Sequence, residues 1–501
     1  MKTSFHFKLY CLLLLMTFVG ACKKDFLDKN PLSQYSTEIF WKNEDDVKTA
    51  LAGVYSNLSR QAEGFGSFTM WWDSISDDAF TSGGVWNSIE QGQIESTSGG
   101  IVSDYYISNY RSIAVCNYFL ANVDKAPLTE AVLNQYKAEV RFIRAYYYFM
   151  LSEVYGGLII SLEPEGVTAP KPVKKTKVEV VSVILNDLDF AIGILPNDAY
   201  TGRVVKAAAI ALKAKVLLYN DRFPESAAAA ALVINSVDNK FGISSDFMGL
   251  FVKPGQRSST NKEILFSARY QLPNMFHTLD YRLGWPQFAT IQPIQSLVSE
   301  YETLNGQPVD PANPYNNRDP RLKYTVYVPG MPWKYGAAGI FNPAQEGTIR
   351  TGFMPRKYID ETKAPAGYPT QSDQDIVIIR YADLLLMYAE AQNEAFGADE
   401  SVRSAINKVR QRPGVNMPDV PAGLTQIQMR ARIRHERRVE LALEGSRYFD
   451  LKRWKIAKEV ITQIVNPGGV TRKFLDKHYL WPLPQTEINI LNDPSLQNPL
   501  Y

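Results

Sequence analysis

Side chains suited to catalysis are few in this sequence and badly spaced for it. The histidines are His6, His277, His435 and His478. His435-Glu436 opens like a zinc-protease helix, but Arg437-Arg438-Val439 follows, so no second imidazole arrives one turn later to complete a metal pair. No Gly-x-Ser-x-Gly turn presents a nucleophile, and no Gly-Lys loop cradles phosphate. Asp310 to Asp319 is rich in Asp and Asn but lacks calcium-loop spacing, and it reads as turns. A carboxylate pair for glycoside hydrolysis stays open, because such a pair needs only nearness in space. No metal or cofactor site is expected. Sugar recognition is better supplied. Sugar faces carry C–H groups that pack on aromatic rings, and their hydroxyls need amide, carboxylate or guanidinium partners. Trp86-Asn87, in the run Gly83-Gly84-Val85-Trp86-Asn87, sets a ring beside an amide.

The amino-terminal end says where such chemistry would operate. Lys2 and Lys8 precede an apolar stretch from Leu9 to Val19, shorter than the ~20 residues of a spanning helix. Val19-Gly20-Ala21-Cys22 closes it. This layout is that of an export signal. Small residues followed by Cys resemble a bacterial lipoprotein processing site, where the first mature thiol takes a diacylglycerol and the freed amine a further acyl chain. The expectation is a signal over 1–21, a lipidated Cys22 and a tether over 22–42. Two or more buried chains anchor stably, each methylene contributing ~0.8 kcal/mol. Cys116, in Ile113-Ala-Val-Cys, is then the lone free cysteine of the mature chain and reads as a small buried hydrophobe. No later apolar run is long enough to cross a membrane. Lys plus Arg is 54 against 52 for Asp plus Glu, which offers no basic surface for nucleic acid. With 501 residues, 45% of them hydrophobic, the chain can build a large core without disulfides.

Long helical patterns must carry the loops. Asn43 caps a helix whose first turn is Glu44-Asp45-Asp46. Residues 104–123 pair with 130–155, and 177–194 with 204–221. Pro224 opens a short helix through Val237. Later, 376–396 pairs with 399–411, and 425–444 with 448–464. The pairs resemble tetratricopeptide units, which bury their apolar faces by stacking. The basic run Arg430 to Arg438 is interleaved with Glu436, and Glu440 and Glu444 follow, so structural ion pairs three or four residues apart are expected. The helical scaffold is assigned mainly to 104–240 and 376–465. Two loop-rich stretches, 62–103 and 241–375, break it. Binding sites usually occupy loops held on a rigid scaffold.

These residues match a known family in order along the chain. Asp25-Phe-Leu-Asp, Ala50-Leu-Ala-Gly-Val-Tyr55, Glu139-Val-Arg-Phe-Ile-Arg144 and Arg318-Asp-Pro-Arg-Leu322 carry the first part of the match. Ile379-Arg-Tyr-Ala-Asp383, Glu436 to Gly445, Arg447-Tyr-Phe-Asp-Leu-Lys-Arg-Trp454 and Gln497-Asn-Pro-Leu-Tyr501 carry the rest. The chain resembles the SusD/RagB-type outer-membrane nutrient-binding lipoproteins. The resemblance implies a mainly α SusD-like fold over 43–501, with tetratricopeptide-like helical pairs in an α-α superhelix and a loop-rich ligand-binding region. It implies a cell-surface, lipid-anchored protein that captures an oligosaccharide and passes it unchanged to a SusC-like TonB-dependent transporter. It also implies that Trp86, Asn87, Trp285, Trp333 and Tyr335 lie where ligand is held. The competing readings are a surface glycoside hydrolase and a peptide-binding helical-repeat lipoprotein.

Overall fold

The structure is a computed structural model that describes residues 40–501 except 61–67, 82, 165–171, 239 and 337. Cys22, the expected signal and nearly all of the expected tether lie outside the described residues. Among the described residues, no helix is long and apolar enough to cross a membrane.

Helix starts follow local chemistry. Asn43 Oδ1 accepts the Asp46 amide at 3.0 Å and begins α1 (Glu44–Arg60). Helices α3 (Ile101–Asn122) and α4 (Glu130–Tyr155) come after a short α2 (Gly84–Glu90). Thr176 and Glu179 form a reciprocal cap on α5 (Lys177–Ile194). Helix α6 (Lys206–Tyr219) buries Ala207, Ala208, Ala209, Ala211 and Ala214, whose small side chains let neighbours approach closely. Pro224 sits in the first turn of α7 (Phe223–Ile234). Beyond the long insertion come α8 (Tyr381–Phe396), α9 (Glu400–Arg410) and α10 (Gln426–Glu440), the last capped by Thr425 and Gln428.

The helices stack in order: α3 on α4, α4 on α5, α5 on α6, α6 on α7. The stack then continues across the insertion, because α7 packs on α8, which in turn packs on α9 and α10. This is the helical-pair architecture that the sequence predicts. The Tyr146-Tyr147-Tyr148-Phe149 run, expected to be core, has Tyr147, Tyr148 and Phe149 buried and Tyr146 half-buried. Cys116 is fully buried, and burial pushes its thiol up to about 12.

Two expected helices differ. Residues 376–380, Ile-Val-Ile-Ile-Arg, form a strand, β4, rather than the start of a helix. The run is β-branched and mostly buried, which suits a strand better than a helix. It pairs antiparallel with β2 (Ile264–Ala268), and Arg380 lies opposite Ile264. The helix expected over 448–464 breaks into Arg447–Arg453 and Ala457–Ile461, because Lys455 takes a left-handed conformation with φ 60°. The described strands form two-stranded antiparallel ribbons.

The basic run of α10 is structural, but its partners are not neighbours on the helix. Arg430 pairs with Glu394, Arg432 with Glu302, Arg437 with Asp383 and Asp450, and Arg438 with Asp77, Asp78 and Glu300. At the centre, Glu440 accepts from Arg321 at 2.8 Å, Arg380 at 2.7 Å and Arg412 at 2.6 Å. Glu436 joins Arg321 to Arg410, Glu263 joins Arg380 to Arg412, and Glu444 joins Arg380 to Lys357. Those guanidiniums hold the Glu440 carboxyl well below the usual carboxylate range despite the opposing cost of burial. Several of the sequence motifs that carry the family resemblance are therefore the clamp between α10, β4 and the insertion.

Candidate ligand-binding face

A short ribbon organises the face. Strand β1 (Ala79–Thr81) pairs antiparallel with β3 (Ile291–Pro293), with Thr81 opposite Ile291. The chain that follows Thr81 and the chain that precedes Ile291 therefore leave the same end of the ribbon. Helix α2, with Trp86 and Asn87, is on the first. The segment 281–289, with Trp285, is on the second.

Trp86 is half-buried. Its ring lies near-parallel to Trp71 at 6.4 Å and edge-on to Trp72 at 5.4 Å. Trp72 in turn contacts Tyr105, Tyr448, Phe449 and Trp481, so Trp86 rests on an aromatic core. The Asn87 amide is engaged locally. Its Nδ2 donates to the Thr81 carbonyl at 3.4 Å and its Oδ1 accepts from Gln91 at 2.9 Å. Beneath it, Glu90 accepts from the Thr81 amide at 3.1 Å, and burial pushes its carboxyl up to about 7.

Trp285 belongs to a second aromatic group. Its ring centroid lies 5.5 Å from Phe288 and 5.4 Å from Tyr368, the latter edge-on. Phe288 and Tyr368 meet edge-on at 5.4 Å, and Tyr281 backs them both. The Arg282 guanidinium stands 5.3 Å over Phe288. Tyr368 is 67% exposed, so the group presents ring surface to solvent. Buried polar groups hold it up. Asp280 Oδ1 accepts the Asp360 amide at 2.7 Å, while its Oδ2 accepts the Ser372 hydroxyl at 2.7 Å. Burial pushes the Asp280 carboxyl up to about 6. Gln292, on β3, donates to the Thr348 carbonyl at 2.8 Å and accepts the Arg350 amide at 2.8 Å, fixing the neighbouring loop.

Trp333 and Tyr335 are differently placed. Trp333 is 2% exposed, edge-on to Phe341 at 5.1 Å and covered at Gly336, where a Cβ would come within 2.6 Å of the indole. Tyr335 is buried, donates to the Asp360 carbonyl at 2.8 Å and packs its ring on Gly284, next to Trp285. Neither turns an open ring face to solvent. Of the five expected ligand residues, Trp285 is the one grouped with an open aromatic surface. Trp86 is half-open, Asn87 is engaged by Thr81 and Gln91, and Trp333 and Tyr335 are buried. Phe288 and Tyr368 complete the Trp285 group without standing out in the sequence. Their signals were modest: an aromatic three residues after Trp285, and a tyrosine in the turn Gly367-Tyr368-Pro369.

This architecture, a helical-repeat stack with an inserted aromatic face, defines a class, and the chain belongs to it: the SusD/RagB family. The SusD family profile matches residues 286–501, and a second profile, described as starch-binding associating with outer membrane, matches residues 25–218. The chain is 26% identical to a SusD-like protein of Formosa agariphila, an alignment covering 99% of each. A SusD-like carbohydrate-binding protein of Bacteroides fragilis superposes with a TM-score of 0.80 at 27% identity, covering 91% of this chain and 99% of that one. A second SusD-like protein of the same organism superposes with a TM-score of 0.80 at 25% identity, covering 94% and 100%.

Proposed function

We propose that this protein captures an oligosaccharide on the face built by Trp285, Phe288 and Tyr368, with Trp86 at its margin, and delivers it unchanged to a SusC-like TonB-dependent transporter. The observation that carries the reading is the exposed ring group held on buried staples. Pyranose faces stack on such rings, and rigid support keeps the ordering cost of binding low. Tyr335 acts as packing under that face, Trp333 packs on Phe341, and Asn87 sets the pose of α2. The protein is tethered to the cell-surface side of the outer membrane through lipid on Cys22. It does no chemistry on the glycan. Asp280, just before the segment that carries Trp285 and Phe288, is buried and engaged in holding loops.

A glycan array followed by calorimetry tests this. Trp285→Ala and Tyr368→Ala should each weaken binding of the best glycan by about 1–3 kcal/mol, as aromatic anchors do. The glycan should be recovered at its original length. Unchanged affinity in both variants would reject the face, and shortened products would make the protein a hydrolase. Mass spectrometry of the mature amino terminus checks the lipid on Cys22. Co-purification with a β-barrel partner from detergent-solubilised outer membrane checks the transporter.

A further inference from the structure

A second concave surface has the build of an anion site. It is a cavity of about 480 Å3 between α1 and the segment 269–275. Lys48, Arg203, Arg257 and Arg269 line it, and no carboxylate does among the described residues. The carboxylates lie behind the cations. Buried Asp375 accepts Nε and Nη2 of Arg257 at 3.0 and 2.7 Å and lies 3.5 Å from Nε of Arg269. Buried Glu139 accepts Nε of Arg203 at 3.0 Å, accepts its Nη2 as well, and takes the Tyr55 hydroxyl at 2.6 Å. Arg269 Nη1 donates to the Thr201 carbonyl. Each guanidinium is thus tied along one edge. Nη1 of Arg203, Nη1 of Arg257 and Nη2 of Arg269 make no hydrogen bond among the described residues.

The backbone makes room for this arrangement. Gly202 has φ +120°, and a Cβ there would come within 1.7 Å of Arg269 Nη1. Among the described residues Lys48 pairs with Glu44 and Asp45 of its own helix, at 3.4 and 3.7 Å. A carboxylate behind a guanidinium fixes its plane and leaves the other edge for a second oxyanion. Three guanidiniums over two buried carboxylates leave this wall net positive. Its volume suits a ring-sized ligand.

We propose that this groove binds the oxyanion of an acidic saccharide residue, a carboxylate or a sulfate ester, at a site separate from the Trp285 face. The saccharide part rests on the glycan-binding reading above; the oxyanion part rests on the arginines alone. The test is calorimetric titration of the purified protein with trigalacturonate, with N-acetylglucosamine 6-sulfate and with neutral N-acetylglucosamine. At least one acidic probe should bind, more weakly as salt rises, and the neutral sugar should not bind at this site. Arg269→Gln and Gly202→Ala should each weaken the acidic probe about tenfold or more. Gly202→Ala removes no charge, so loss in both variants assigns the effect to where Arg269 is held. Arg203→Gln gives the same readout if either variant fails to fold. Trp285→Ala should leave acidic binding intact. No binding of either acidic probe, equal binding in the variants and wild type, or loss with Trp285→Ala would overturn the proposal. Failure of neutral glycans at the Trp285 face would count against that face alone.

Discussion

Replacing Glu440 by Gln tests whether the central ion network holds the fold. Arg321, Arg380, Arg410, Arg412 and Lys357 face Asp319, Glu263, Glu436, Glu440 and Glu444, five cations to five carboxylates, all buried but the half-buried Glu444, and a Glu302–Arg432 pair adjoins at Arg410. Gln is nearly the same size, so no cavity forms. It supplies one acceptor oxygen where three guanidiniums now donate, and it turns an amide donor toward at least one of them. The network is then left with one uncompensated buried cation. Leaving a buried charge without its partner costs about 3–5 kcal/mol, against a typical total of 5–15 kcal/mol for a folded domain. Urea unfolding followed by circular dichroism should show the midpoint falling by roughly a third or more in Glu440→Gln. The loss should hardly change with salt, because the pairs are buried. It should also have a pH signature. The Glu440 pKa is depressed on folding, so its contribution is complete above the unfolded carboxylate range and is lost as pH falls through the lowered folded value. A loss under 1 kcal/mol, or one abolished by salt, would refute the argument that these pairs are desolvated and interdependent.

Other outcomes follow from single sites. Trp333→Phe should lower the melting temperature yet leave glycan affinity unchanged in calorimetry, since the indole is covered; a large drop in affinity would place it in the site. Asp280 has a folded pKa of about 6, above its unfolded value of 3.8, so the folded state binds the extra proton and stability should fall as pH rises from about 4 to 6. The linked change is about 3 kcal/mol, and Asp280→Asn should flatten that slope in urea titrations at pH 4, 5 and 6. Cys116 should resist thiol reagents in the native protein and react promptly in urea, as a fully buried thiol with a pKa of about 12 must; rapid native labelling would contradict the packing.

Much of the scaffold was legible because its signals are local. Asn43, Thr176, Pro224 and Thr425 mark helix starts by hydrogen bonds or ring geometry within one turn of themselves. Ile376 to Arg380 is ambiguous in sequence because its apolar run of four residues looks alike in a helix and a strand; its partner strand, Ile264–Ala268, lies more than a hundred residues away. The arginines of α10 could be read as structural from their interleaved glutamates. Their partners could not, since Asp77, Glu302, Glu394 and Asp450 meet them only in three dimensions. The aromatic face shows the same limit. Tryptophan alone does not reveal which side faces water. Trp285 and Trp333 look equivalent in sequence, yet the latter lies under Gly336 while Tyr368 takes the outer place.

The docking of α7 on α8 ties together two stretches of chain that the whole insertion separates. Strand β2 within the insertion is also zipped to β4 at its far stem. The chain can then suffer a backbone cut in an exposed insertion loop, such as 304–317, and remain a single particle. The two fragments would grip one another through helix packing and a strand ribbon, and would part only on denaturation.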